Sequence, residues 1–178
     1  MIIRVFRGVE LSNTSPLTPS QFGEWGAGIY FTNSRECAEN YSDEVVIECL
    51  INLENPLSAT AEYDDSLIEE FDYEAASLGF VTELFKGKRN IDELIDHARE
   101  SNDLGLFGRE INAEVSEKGY DGIIANWEDG SKHIICHRPE SIVNVENIYV
   151  RGEAQTDGAF NDLLSRISAQ SAQRENHV

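Results

Sequence analysis

Apolar residues fall along this chain in short bursts whose period changes from strand-like to helix-like and back. Residues 2–7 and 45–52 are rich in Val and Ile and predict strands, and the second is apolar enough at consecutive positions to be buried on both faces. Between them, residues 9–27 read as a loop punctuated by Pro16, Pro19 and glycines. From about residue 64 to 118 the spacing turns helical: Leu67, Ile68, Phe71 and Ala75 recur one turn apart, as do Ile91, Leu94, Ile95 and Ala98. Strands return at about 121–125, 132–137 and 142–150. After Arg151-Gly152 the composition turns polar, and Phe160, Leu163, Leu164 and Ile167 predict one amphipathic helix before a tail expected to be disordered. The pattern predicts an α+β chain with a helical stretch at about 64–118 between strands, then a C-terminal helix and flexible tail over 151–178.

Charge narrows the partners. The chain of 178 residues carries a formal net charge of −19, so nucleic-acid phosphates and anionic membrane surfaces should repel it, while basic protein surfaces should attract it. The run over 61–75 holds Glu62, Asp64, Asp65, Glu69, Glu70, Asp72 and Glu74 with no basic residue. It reads first as a solvated helix face, and secondly as a surface that imitates a phosphate backbone. The basic island Lys86-Gly-Lys-Arg89 is too short to define a phosphate site. Cys37, Cys49 and Cys136 are odd in number and lack disulfide-like spacing, which predicts a reducing, cytoplasmic setting. The chain starts with a strand-like run rather than an export signal, and it has no apolar stretch long enough to span a bilayer.

A metal site fails on geometry. In a strand, His133 and Cys136 point to opposite faces, and His133 and His137 lie about 13 Å apart, too far for one ion. No serine or cysteine sits in a recognisable nucleophile elbow.

The most informative segment is Gly28-Ile-Tyr-Phe-Thr-Asn-Ser-Arg-Glu-Cys-Ala-Glu-Asn-Tyr41. Ile29, Tyr30 and Phe31 are strand formers. Asn33 or Ser34 can cap a following helix, and Glu36 completes a capping box if Asn33 is the cap. Tyr30 and Tyr41, eleven positions apart on strand and helix, can then face one cleft. Taken alone, Tyr30 would be an ordinary core tyrosine and Arg7 an ordinary strand arginine; the arrangement of both with Gly8 and Tyr41 is what makes them candidates.

This segment resembles the second motif of the ADP-ribosyltransferases, above all the His-Tyr-Glu branch that includes the poly(ADP-ribose) polymerases and phage and mobile-element domains. Three further stretches are similar to the family pattern in the same order. Met1-Ile-Ile-Arg-Val-Phe-Arg-Gly8 ends in Arg-Gly where that branch has His-Gly, Asn55-Pro56 follows the second strand, and Gly119-Tyr-Asp-Gly-Ile-Ile124 precedes His133-Ile-Ile-Cys136 and Pro139-Glu-Ser-Ile142. The resemblance frames residues 1–150 and implies a split β-sheet core with NAD as co-substrate. It implies that Arg7 contacts the adenosine ribose or pyrophosphate, that Gly8 bonds the nicotinamide carboxamide through its backbone, and that Tyr30 and Tyr41 clamp the ring.

The sequence departs from the family in two places. Arg7 in place of histidine is closer to the Arg-Ser-Glu branch. Lys132 stands where the family places its catalytic glutamate, and Glu128 and Asp129, in the loop Asn126-Trp-Glu-Asp-Gly-Ser131, are the nearest carboxylates and hence the catalytic candidates. The implied activity is mono-ADP-ribosyl transfer to a macromolecule, such as a host factor targeted by a phage or mobile element. A transferase fold kept as a binding module, or an acidic inhibitor of a nucleic-acid-binding protein, are the other readings.

Overall fold

The apolar bursts form one seven-stranded mixed sheet in the computed structural model, which describes residues 1–21, 23, 25–61, 78–88, 90, 93, 96, 100, 104–151 and 158–175. The strands are β1 (Ile2–Val9), β2 (Ile29–Thr32), β3 (Val45–Asn52), β4 (Pro56–Thr60), β5 (Gly122–Asn126), β6 (Lys132–Cys136) and β7 (Ile142–Val150). Among the described residues the helices are α1 (Arg35–Glu39), α2 (Leu78–Leu84), α3 (Leu104–Glu117) and α4 (Gly158–Glu175). In the sheet order β4-β5-β6-β2-β1-β3-β7, only β4 and β5 run parallel. The sheet is nearly divided at its middle, because β1 and β2 meet through the single pair Phe6↔Thr32 whereas β1 and β3 pair along their whole length.

The two halves are covered differently. On one face, Val5, Val9, Ile29, Phe31, Ile47, Cys49, Ile51 and Ile134 form a buried core closed by Leu163 and Ile167 of α4. On the other face Ile123, Ala125 and Ile135 pack with Trp25, Val81, Ile111 and Val115, which brings α2 and α3 over the β4–β6 half. The β1–β3 half of that same face is covered by α1, packed so closely that a side chain on Gly8 would meet the Ala38 carbonyl at 2.3 Å. The sheet between these coverings carries Phe6, Thr32 and His133 in one row across β1, β2 and β6.

The structure differs from the sequence expectations at several places. β4 was not expected; it follows the Asn55-Pro56 step, where Asp121 accepts from the backbone N–H of Glu54 and Asn55 and aligns the turn beside β5. The strand expected over 132–137 ends at Cys136, and a short 3₁₀ turn at Pro139–Ser141 leads into β7. The helix of the Gly28–Tyr41 segment ends at Glu39, so Tyr41 lies in the turn beyond it rather than on it. The helical positions Leu67, Ile68, Phe71 and Ala75, the positions Ile91, Leu94, Ile95 and Ala98, and most of the acidic run 61–75 lie outside the described residues. α4 is held by more than its apolar stripe: Arg166 donates to the carbonyls of Leu11 and Asn13, and Gln170 accepts from the N–H of Leu17.

Candidate functional site

Four candidate residues converge on one cavity. A hollow of about 290 Å³ on the open part of the sheet is lined by Phe6, Arg7, Gly8, Tyr30, Thr32 and Tyr41, with His133 at its edge. Its size sits at the lower end of small-molecule pockets and suits a ring with its attached sugar better than a whole dinucleotide. A second cavity of about 590 Å³ lies beside it and is lined by Trp127, Glu128, Asp129 and Lys132 together with Cys37. Tyr41 and His133 line both, so they form the partition between the two spaces.

Each of the four residues is held by identifiable contacts. Arg7 donates from Nε to the Pro16 carbonyl at 2.9 Å and from Nη1 to the Tyr30 carbonyl at 2.7 Å, so its guanidinium bridges the weakly paired junction of β1 and β2. Burial lowers its pKa from the ordinary arginine value, which favours donors pinned by carbonyls over a guanidinium waving in solvent. Gly8 is glycine because α1 needs the room, with the Ala38 carbonyl and Ser42 N–H against it. Tyr30 donates its hydroxyl to the Gly26 carbonyl at 2.7 Å and accepts from the Trp25 N–H at 2.8 Å, which folds the preceding loop over the ring's outer end. Gly23 lies directly on that end, since a Cβ there would meet Tyr30 Oη at 2.3 Å. Tyr41 is 59% exposed and shares a hydrogen bond of 2.8 Å with Nε2 of His133.

The loop carrying the carboxylates is drawn toward the cleft by a residue the sequence suggested for another role. Ser34, not Asn33, caps α1, accepting from the Cys37 N–H at 3.1 Å. Asn33 instead accepts from the Lys132 N–H at 2.9 Å and donates to the Gly130 carbonyl at 3.2 Å, clasping the β5–β6 loop to the end of β2. Within that loop Asp129 accepts from both the N–H and the hydroxyl of Ser131, at 2.8 and 2.6 Å, and these bonds hold its carboxyl below its ordinary pKa. Asp129 therefore shapes the loop, while Glu128 lines the larger cavity without such a commitment in the described bonds.

His133 and Trp127, which also line these cavities, were not among the sequence candidates. His133 packs edge-on to Tyr41 and to Trp127, with ring centroids 5.9 and 5.4 Å apart. The signal lay in strand register: β6 runs antiparallel to β2 with Tyr30 opposite Ile135, which puts His133 on the face of Tyr30, while Lys132, one position earlier, lines only the larger cavity. Among the described residues no three His, Cys, Asp or Glu side chains gather to hold a metal ion. Cys136 is buried among apolar groups, which pushes its thiol pKa up and leaves it a poor nucleophile. Lys86 and Lys88 pair with Glu83, Glu114 and Glu117; Arg89 lies outside the described residues. No described helix is long and apolar enough to cross a membrane.

No curated protein matches the chain. A solved structure titled as that of an anti-CRISPR protein is similar over 76% of this chain and 90% of its own, at 19% identity and a TM-score of 0.37. The family described as ADP-Ribosyltransferase in polyvalent proteins matches residues 2–149. With that match running from the first strand to the last, over a split mixed sheet with helices on both faces, the chain belongs to this ADP-ribosyltransferase family.

Proposed function

We propose that this protein transfers a single ADP-ribose unit from NAD to a macromolecular target, with the nicotinamide end of NAD bound in the smaller cavity. The observation that carries the reading is the convergence of Arg7, Gly8, Tyr30 and Tyr41 on that one cavity. They come from β1, β2 and the turn after α1, segments brought together only by the fold. The donor set suits the group: two aromatic rings for a flat heterocycle, the cavity-lining Gly8 for a carboxamide, and a fixed cation for a dinucleotide phosphate. NAD, when bound, supplies a sugar carbon whose bond to a positively charged ring breaks readily.

Around that carbon the chain's own residues divide the work. Tyr30 and Tyr41 orient the leaving ring. Glu128, in the loop held by Asn33, is the carboxylate we assign to stabilise positive charge developing on the ribose, with Asp129 setting the loop's shape. The net charge of −19 favours a target with a basic surface, such as a nucleic-acid-binding protein, and a role as a phage or mobile-element effector fits a family of polyvalent proteins.

A second reading is a transferase fold retained as a binding module, favoured by the lysine that enters β6 where a carboxylate is expected. Isothermal calorimetry with NAD, followed by mass spectrometry of a lysate incubated with labelled NAD, separates the two. The expected result is NAD binding that weakens in both Tyr30→Ala and Tyr41→Ala, by about 0.5–1.5 kcal/mol for each ring face, together with a covalent adduct on a lysate protein. Unchanged affinity in the double variant would remove the site, and binding without any adduct would leave the binding module.

A further inference from the structure

We propose that His133, held by Tyr41, takes the proton released when the acceptor's nucleophile attacks, and that the acceptor reaches it through the larger cavity beside Trp127. This rests on the proposed transfer and adds the group that completes it. Three observations lead to it. His133 occupies the cleft-facing position of β6, in one row with Phe6 and Thr32, so it stands over the smaller cavity where the reacting sugar would lie. It also lines the larger cavity, so both spaces reach the same side chain. Its orientation is fixed on two sides, by the 2.8 Å bond from Nε2 to the Tyr41 hydroxyl and by the edge-on contact with Trp127. A ring so held has a set plane, which is what a positioned proton acceptor needs, and the Tyr41 hydroxyl can act as donor or acceptor toward Nε2 as the ring takes up the proton.

The step balances without a further reactant. The bond from the ribose carbon to the nicotinamide nitrogen breaks and nicotinamide leaves with the electron pair. The nucleophile's lone pair forms the new bond to that carbon, and the nucleophile's proton passes to the imidazole of His133, from which solvent removes it. Charged and titratable groups lining the two cavities with the ring are Arg7 on β1, Tyr30 on β2, Cys37 on α1, Tyr41, Glu128, Asp129 and Lys132. Two of the three charged groups on the larger cavity are carboxylates, so an acidic acceptor is disfavoured. A carboxylate acceptor would also have no proton to give. The acceptor class is therefore a proton-bearing nucleophile, a hydroxyl or a guanidinium, on a protein side chain.

The test uses the full chain, radiolabelled NAD and synthetic peptides presenting serine, arginine or glutamate as the sole reactive side chain. Wild type should label the serine or the arginine peptide and not the glutamate peptide. His133→Ala should lose about 10²–10³-fold in transfer rate while NAD affinity by calorimetry changes less than threefold, and imidazole added to the buffer should restore at least tenfold. His133→Gln, whose side chain fills the space that imidazole would enter, should be as slow and should not be rescued; rescue equal to that of the alanine variant would count against the proposal, and circular dichroism melts check that both variants fold. Transfer by His133→Ala within threefold of wild type, a loss of NAD binding in step with the loss of transfer, or labelling confined to the glutamate peptide would each overturn the proposal. Wild type that binds NAD but labels no peptide would overturn it while leaving the NAD cavity standing; wild type that binds no NAD would remove the proposed function itself.

Discussion

Replacing Arg7 tests whether this arginine holds the fold together as well as lining the cavity. β1 and β2 share one backbone pair, Phe6↔Thr32, and the Arg7 guanidinium ties the same junction by donating to the Tyr30 carbonyl and, across the loop, to the Pro16 carbonyl. Hydrogen bonds from a charged donor contribute about 1.5–3 kcal/mol each, and because the side chain is half-buried the lower end applies, giving about 3 kcal/mol for the two. For a chain of this size that corresponds to a melting temperature lowered by roughly 6–12 °C in Arg7→Ala. Arg7→Lys retains a cation that can satisfy one carbonyl but not both in the planar fork, so it should lose about half as much. Thermal melts by circular dichroism, backed by urea titration, give the comparison. A melting temperature for Arg7→Ala within 2 °C of wild type would refute the bridging role. The ordering also matters for function, since any fall in NAD affinity in the alanine variant has to be measured well below its melting point before it is read as a lost ligand contact.

Two further predictions concern stability. His137 is buried with neither ring nitrogen partnered among the described residues, and burial lowers its pKa to about 4, against the pull of Asp121 and with the push of Arg138. The folded value lies below the unfolded one of about 6.5, so the unfolded chain takes up the proton first; the stability is complete above pH 6.5 and is lost as pH falls toward 4, by about 3 kcal/mol. Urea midpoints at pH 7 and pH 4.5 should fall apart less in His137→Leu than in wild type, and an equal fall in both would refute the assignment. In Gly8→Ala the new Cβ meets two backbone atoms, Ala38 O at 2.3 Å and Ser42 N at 3.0 Å, so α1 must shift at a cost of about 1–3 kcal/mol, and an unchanged urea midpoint would count against the close packing.

Much of the sheet was legible because strand burial writes itself into local composition. β3 is buried at Val45 through Cys49 without a break, and that continuous burial is why its apolar run has no alternation. β4 was not legible for the complementary reason. Pro56–Thr60 is a five-residue edge strand with Ser58 and Thr60 exposed and the other three residues half-buried, and what makes it a strand is its parallel partner β5, more than sixty positions away in the chain. Local pattern carries no trace of such a partner. The same limit applies to Tyr41: the segment from Ser34 onward starts as a helix should, but nothing in its residues announces that Asn40 closes it after one and a half turns.

Register explains the remaining gap at the site. An alignment by motif compares residues one at a time along β6 and stops at Lys132, whereas a strand presents alternate residues to a cleft, so a shift of one position exchanges which residue faces the ligand. Pairing with β2 decides the matter here: Thr32 lies opposite His133, and Asn33, the next residue, accepts from the N–H of Lys132. The Asn33 clasp therefore does two things at once. It fixes the register that turns His133 inward, and through the Gly130 carbonyl it draws the loop bearing Glu128 to the cavity that His133 shares. A residue that sequence offers as a helix cap is then the one on which the geometry of both candidate groups depends, and its removal should disturb them together rather than singly.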